Sequence, residues 1–172
     1  MRSILLTLIC SLLTNWALGQ LIDKVEQIRN TVAKINSDTS YTTKSLESEQ
    51  FLEHAPDGGG QLTGYFNNSQ LVKIVKEIGL SSCSIVFEYY LQDNILISVY
   101  GQEIVFEFVD STGSLDYTKQ AVGMECKFYF ENGKLLKSNF TGQTRCIDPP
   151  SDAQIQYLFD DLKQYLDLFK EY

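Results

Sequence analysis

Three related heptads constrain this chain more than any other feature. YFNNSQL (65–71), YLQDNIL (90–96) and YFENGKL (129–135) each read Tyr, an apolar residue, any residue, Asn or Asp, a turn-prone residue, any residue, Leu. The chemistry of the pattern is that of a two-residue hairpin loop. Both central residues of a type I′ turn need positive φ, and Asn followed by Gly reaches it at the lowest cost. Asn132-Gly133 is the strongest of the three signals, and Asp93-Asn94 and Asn68-Ser69 are weaker forms of the same loop. Loops of this length make Phe66 face Leu71, Leu91 face Leu96 and Phe130 face Leu135 across the strands.

Strand alternation then sorts the neighbouring residues onto two faces. The first takes Leu62, Phe66, Phe87, Tyr89, Leu91, Leu96, Phe128, Phe130 and Leu135, and reads as a core face. The second takes Tyr65, Val72, Ile74, Val86, Tyr90, Ile97, Val99, Tyr129 and Leu136, interrupted by Thr63, Glu88 and Lys127. EIVFEFV (103–109) sets Ile104, Phe106 and Phe108 against Glu103 and Glu107 and supplies a further strand, and SYTTKSL (40–46) adds one at the start. STGSLDYTKQAVG (111–123) reads as a loop or short helix that breaks the series.

The ends are helical. Leu21, Val25, Ile28, Val32 and Ile35 form one apolar stripe at spacings of four and three. Near the C-terminus, Ser151 with Gln154 three residues on forms a capping box. It opens a helix whose stripe is Ile155, Leu158, Phe159, Leu162, Tyr165, Leu166 and Phe169. Each stripe needs a surface to cover, and the sheet provides it. The expected architecture is α+β: an antiparallel meander of about seven strands flanked by an N-terminal and a C-terminal amphipathic helix.

Ahead of this lies MRSILLTLICSLLTNWALGQ, with Arg2, an apolar run from Ile4 to Leu13 and the small-residue pattern Ala17-Leu18-Gly19. That is a secretory signal with cleavage expected after Gly19, and its apolar run is too short to anchor in a bilayer about 30 Å thick. Cys10 sits mid-run rather than at the signal's end, which argues against a lipoprotein. Residues 20–172 are then one domain, in the periplasm or outside the cell. Without Arg2 the chain has 13 cations against 22 acids, a net charge of −9, which argues against nucleic acid or an anionic membrane as partner. No long apolar stretch follows the signal, so the chain is not expected to span a membrane.

Three cysteines remain in that oxidising compartment, Cys83, Cys126 and Cys146, which allow one bridge in three pairings. Cys126 with Cys146 is favoured because it would tie the last hairpin to the segment entering the final helix. No C-x-x-C is present and His54 is the sole histidine, so no metal site and no cofactor are expected.

For function, the glycine triplet of DGGG (57–60) leads into a strand rather than a helix and lacks the lysine of a phosphate loop. It reads as a turn entering the first hairpin, and Gly64 inside that strand reads as close packing by an aromatic neighbour. The phenol-bearing second face is the better candidate, since aromatic rings with a polar handle recur where proteins meet partners. It implies a non-enzymatic binding module using Tyr65, Tyr90, Tyr129, Glu88 and Lys127 toward an envelope or extracellular protein or an apolar ligand. The alternative for that face is burial under one of the helices, with hydroxyls at its rim. The competing activity is a small hydrolase-like enzyme using His54 with Glu53 or Asp57 in a pocket between sheet and helices. No catalytic residue is otherwise singled out. Asn67 and Asn139 stand in N-glycosylation patterns.

Taken together, GGGQLTGYFNNSQLVKI, FEYYLQDNILISVY and ECKFYFENGKLLK resemble small secreted or periplasmic proteins of Bacteroidetes-type bacteria that carry YF-x-NG-x-L hairpins. The resemblance spans residues 57 to 138. It implies an envelope location and brings no catalytic residues. The tyrosine and glycine spacing is also similar to membrane-occupation repeats of the YxG type, whose Gly-x-Gly is missing at 87–91 and 126–130.

Overall fold

The computed structural model describes residues 21–109, 113–148 and 155–170. The signal peptide over 1–19 and the Ser151–Gln154 capping box lie outside those residues. Helix α1 (21–37) is followed by β1 (Thr42–Glu47) and a single helical turn, α2 (Ser48–Phe51). Six further strands come next: β2 (Gly60–Asn67), β3 (Gln70–Gly79), β4 (Cys83–Gln92), β5 (Ile95–Val109), β6 (Ser114–Glu131) and β7 (Lys134–Gly142). Helix α3 (Ile155–Leu168) closes the chain. The strands form one antiparallel sheet whose spatial order is their sequence order, the expected α+β meander.

All three heptads make two-residue turns. Asn68 and Ser69, Asp93 and Asn94, and Asn132 and Gly133 all have positive φ, and Phe66–Leu71, Leu91–Leu96 and Phe130–Leu135 are the cross-strand pairs beside the turns. Each hairpin carries a second shared feature that the heptad does not announce. The register slips by one residue directly after the pair, leaving Val72, Ile97 and Leu136 as single-residue bulges on the returning strands. A bulge inverts the alternation of everything behind it. Ile74 and Val99, expected on the second face, therefore lie in the core with Tyr89 and Leu62.

The first face is the main core, and α3 covers it. Leu158, Leu162, Tyr165 and Phe169 pack against Leu62, Phe66, Tyr89 and Phe130, with Tyr165 edge-on to both Phe51 and Tyr89. One carboxylate oxygen of Asp161 fastens this helix to the sheet, accepting from Lys76 Nζ at 2.8 Å, Tyr165 Oη at 3.1 Å and Tyr89 Oη at 3.2 Å. The buried phenols thus keep partners while their rings fill the core.

The expected break at 111–123 is strand from Ser114 onward. β5 and β6 form a long hairpin whose register slips between Glu103 and Ile104 and again between Phe106 and Glu107. Glu103 continues the inward alternation of Val99 and Gly101 that the Ile97 bulge sets, and it stands opposite Met124. It is fully buried, and its carboxylate accepts from the backbone N–H of Arg145 at 2.7 Å and of Cys146 at 3.2 Å. That contact draws the chain after β7 back across the sheet and explains the disulfide. Cys83 is bonded to Cys146, which corrects the expected Cys126–Cys146 pairing. Cys126 stands inside the first face opposite Gly101, free and 1% exposed.

The glycine triplet is a turn with tight geometry. Gly58 N–H donates to Gly79 O at 3.0 Å and Gly79 N–H to Gly59 O at 2.9 Å. A Cβ on Gly58 would stand 2.7 Å from the Gly79 carbonyl carbon, and Gly59 has φ +75°. Gly64 is packed as expected, by the rings of Phe66 and Phe169. Gly58→Ala should cost about 1–3 kcal/mol in urea unfolding, since backbone meets backbone and neither side can yield cheaply; an unchanged midpoint would mean the close approach is not maintained.

Burial pushes the Cys126 thiol up from the usual 9.0 to about 11. At pH 8 it should resist an aromatic disulfide reagent in the native protein and react on unfolding. With the native value raised, stability should hold below pH 9 and fall between 9 and 11, where the unfolded thiol ionises and the native one does not. Cys126→Ser should lack that part of the decline.

Candidate ligand-binding cleft

The repeat and its bulge together place the three heptad tyrosines in one line across the sheet. Paired residues run Tyr65, Lys73, Tyr90, Ser98, Tyr129, Lys137 from β2 to β7, all on the second face. Two residues further along the strands, Val75, Glu88, Tyr100, Lys127 and Asn139 form a parallel row. Each hairpin contributes a tyrosine on its outgoing strand and, past the bulge, a partner on its return strand. Those partners are Lys73, Ser98 and Lys137. The middle hairpin thus has a short side chain where the outer two have long ones.

Helix α1 crosses this face. Its stripe needs cover, and Ile28, Val32 and Ile35 find it against Val72, Tyr90, Ile97 and Tyr100. Four polar groups then join helix to sheet in a closed ring. Lys73 Nζ donates to Asn36 Oδ1 at 3.0 Å and pairs with Glu88 Oε1 at 3.1 Å. Tyr90 donates to Glu88 Oε2 and accepts from Asn36 Nδ2 at 2.9 Å. Further along the helix, Arg29 Nε donates to Tyr129 Oη at 3.3 Å, with its guanidinium 5.4 Å from the ring centre. Of the two expectations for the tyrosine face, burial under a helix is the one observed here: Tyr90 is 2% and Tyr129 6% exposed, the first beneath the α1 stripe and the second beneath Arg29.

The cover is incomplete. Above Ser98 a cleft of about 530 Å³ remains, roofed by Arg29, Val32, Ala33 and Asn36 on one side of α1. Its floor and walls are Tyr90, Ser98, Tyr129, Glu88, Tyr100, Lys127 and Asn139. The volume is within the ordinary range for small-molecule sites. Ser98 is held down by its own bond to Phe128 O at 2.9 Å. Tyr100 donates to Glu125, and Lys127 Nζ lies 5.2 Å from the Tyr100 ring centre.

Electrostatics assign the phenols a donor's role. Burial first, and then the hydrogen bond and charge of Glu88, push the Tyr90 phenol well above the usual 10.0. Burial, followed by Glu125, does the same to Tyr100. Both hydroxyls stay protonated through the physiological range.

Four of the five residues expected from sequence, Tyr90, Tyr129, Glu88 and Lys127, meet in this cleft, while Tyr65 stays outside it beneath Lys73. His54 is exposed and lines neither this cleft nor the one beside the glycine triplet. Of its proposed companions, Glu53 is exposed and Asp57 accepts from Ser81 at 2.7 Å. Arg29, Asn36, Ser98, Tyr100 and, as a cleft residue, Asn139 escape the heptad. Extending the repeat to nine residues brings Ser98 into view, as YFNNSQLVK, YLQDNILIS and YFENGKLLK end in Lys, Ser, Lys. Among the described residues no group of three or more His, Cys, Asp or Glu is placed to hold a metal ion, and no helix is long and apolar enough to cross a membrane.

No protein-family model, curated protein or solved structure matches the chain. The class of the protein accordingly rests on the chemistry of the cleft.

Because the native Tyr90 value is raised, its contribution to stability is intact below about pH 10 and declines above it, as the unfolded phenol ionises first. The stability advantage of the wild type over Tyr90→Phe should shrink by up to about 1.4 kcal/mol per pH unit above 10 in denaturant unfolding. Parallel pH profiles for the two proteins would contradict the assignment.

Proposed function

We propose that this is a non-enzymatic binding module, acting outside the cytoplasm, that holds a ligand in the cleft between α1 and the sheet. The carrying observation is convergence: two cations, three phenols and two side-chain amides surround the gap over Ser98, on a rigid sheet roofed by a fastened helix. Sites of this kind combine a shaped cavity with a few fixed polar groups. The groups are suited to holding more than to transforming. The Tyr90 and Tyr100 phenols are kept protonated, the Ser98 hydroxyl is committed to a backbone carbonyl, and the Cys126 thiol is buried in the opposite face with its ionisation suppressed. An extracytoplasmic setting is supported by the Cys83–Cys146 bridge together with the leader-like first 19 residues.

The test is retention of small molecules from an extract of the source cells, read by native mass spectrometry. Wild type is compared with Ser98→Lys, which gives the middle hairpin the residue of its neighbours, and with Ala33→Phe, which fills the gap from the roof. Retention by wild type of compounds absent from both variants, with melting temperatures unchanged, is the expected result. Equal recovery by all three proteins would overturn the cleft as a site. Chemical conversion of a retained compound on incubation would replace the binding module with an enzyme.

A further inference from the structure

Resting on the cleft reading above, we infer that the ligand is a small hydroxylated anion of the sugar-acid or sugar-phosphate type, its acid group seated at Lys127 between Tyr100 and Asn139. Lys127 lies in the row that also carries Glu88, directly opposite Tyr100 on one side and Asn139 on the other. Among the described residues its ammonium forms no ion pair, and its sole contact of note is with the Tyr100 ring. The two acids on neighbouring positions of this face are engaged elsewhere. Glu88 is held by Lys73 and Tyr90, and Glu125 accepts from Tyr100. Neither forms an ion pair with Lys127.

The donors around it are also uncommitted. Among the described residues the Asn139 side-chain amide has no hydrogen-bond partner, and Tyr129 accepts from Arg29 while its own proton is unclaimed. Among the described residues Arg29 pairs with exposed Glu26 alone, at 3.4 Å, and such a surface pair contributes little. A chain of net charge −8 therefore brings two weakly countered cations and two free neutral donors into one concavity. At contact distance these groups act through direct hydrogen bonds and ion pairs, whereas the repulsive far field is screened by salt beyond about 8–10 Å. The rest of the lining decides the body of the ligand. Asn139 and Tyr129 offer donors, the hydroxyl oxygens of Ser98, Tyr90 and Tyr100 offer lone pairs, and Val32 and Ala33 supply the apolar wall. That mixture matches a compact polyol better than an acyl chain.

Calorimetry of the purified protein with glucuronate, glucose 6-phosphate and glucose tests the assignment and separates the two acid groups. One of the two anions should bind saturably, with glucose at least about 10-fold weaker, and Lys127→Met should weaken the anion by about 10- to 100-fold, as expected for a lost hydrogen bond to a charged group. Tighter glucuronate marks a carboxylate ligand and tighter glucose 6-phosphate a phosphorylated one. Equal binding of glucose, no binding of either anion, or an unaffected Lys127→Met overturns the anion assignment while the extract experiment still judges the cleft. An anion lost with Lys127→Met but kept by Ser98→Lys and Ala33→Phe would place it outside the cleft and overturn the cleft reading itself.

Discussion

Positive φ at three pairs of turn residues is the constraint from which the rest of the molecule follows. A two-residue turn with both residues left-handed sets the apolar pair beside it. The bulge that follows then decides which return-strand residue shares a row with the tyrosine. Because all three hairpins repeat both devices, Tyr65, Tyr90 and Tyr129 come into one line with Lys73, Ser98 and Lys137 between and beyond them. A cleft in such a sheet needs no special loop. It needs one small residue in a line otherwise filled by long ones, and Ser98 is that residue.

The two helices meet the sheet by different physics. α3 covers an aromatic and aliphatic core, where Asp161 gathers Lys76, Tyr89 and Tyr165 at its edge and Gln164 Nε2 donates to Phe51 O. α1 covers a face that carries charges, so its attachment must satisfy them. The ring of Asn36, Lys73, Glu88 and Tyr90 does so, each group giving or taking what its neighbour requires. A satisfied ring at one end of the helix and an open cleft beside it are two outcomes of the same packing. Ser98, Tyr100, Lys127 and Asn139, which the attachment of the helix does not use, face the gap beside ring members Asn36, Glu88 and Tyr90.

Much of the sheet was legible because its signals are local. Turn residues, the pairs beside them and the two amphipathic stripes are read from neighbours in sequence, and they yield the order of the strands. What escaped depends on a residue inserted or a contact made far away. No property of Val72 or Ile97 marks it as a bulge, so Ile74 and Val99 read as second-face residues when they are core. Glu103 reads only as the alternate of Ile104, because the backbone N–H groups that satisfy it in the core come from Arg145 and Cys146, 42 and 43 residues on. The same contact decides the disulfide. Cys126 is nearer to Cys146 along the chain, but the return of the segment after β7 to the start of β4 brings Cys146 to Cys83.

The site was half legible for a related reason. Tyrosine at a repeated position identifies the row, and Glu88 and Lys127 lie two residues before a heptad tyrosine, which for a strand means the same face. Whether that face is open to a broad partner or closed down to a cleft depends on which helix crosses it and at what register. Only tertiary structure supplies this. The covering also changes the kind of partner the chemistry favours. An open row of phenols offers area, which is what a protein interface uses, whereas the covered row offers depth, directed donors and weakly countered charge. A repeat that would serve a flat contact when bare becomes a cleft lined with polar groups when one helix is laid across it.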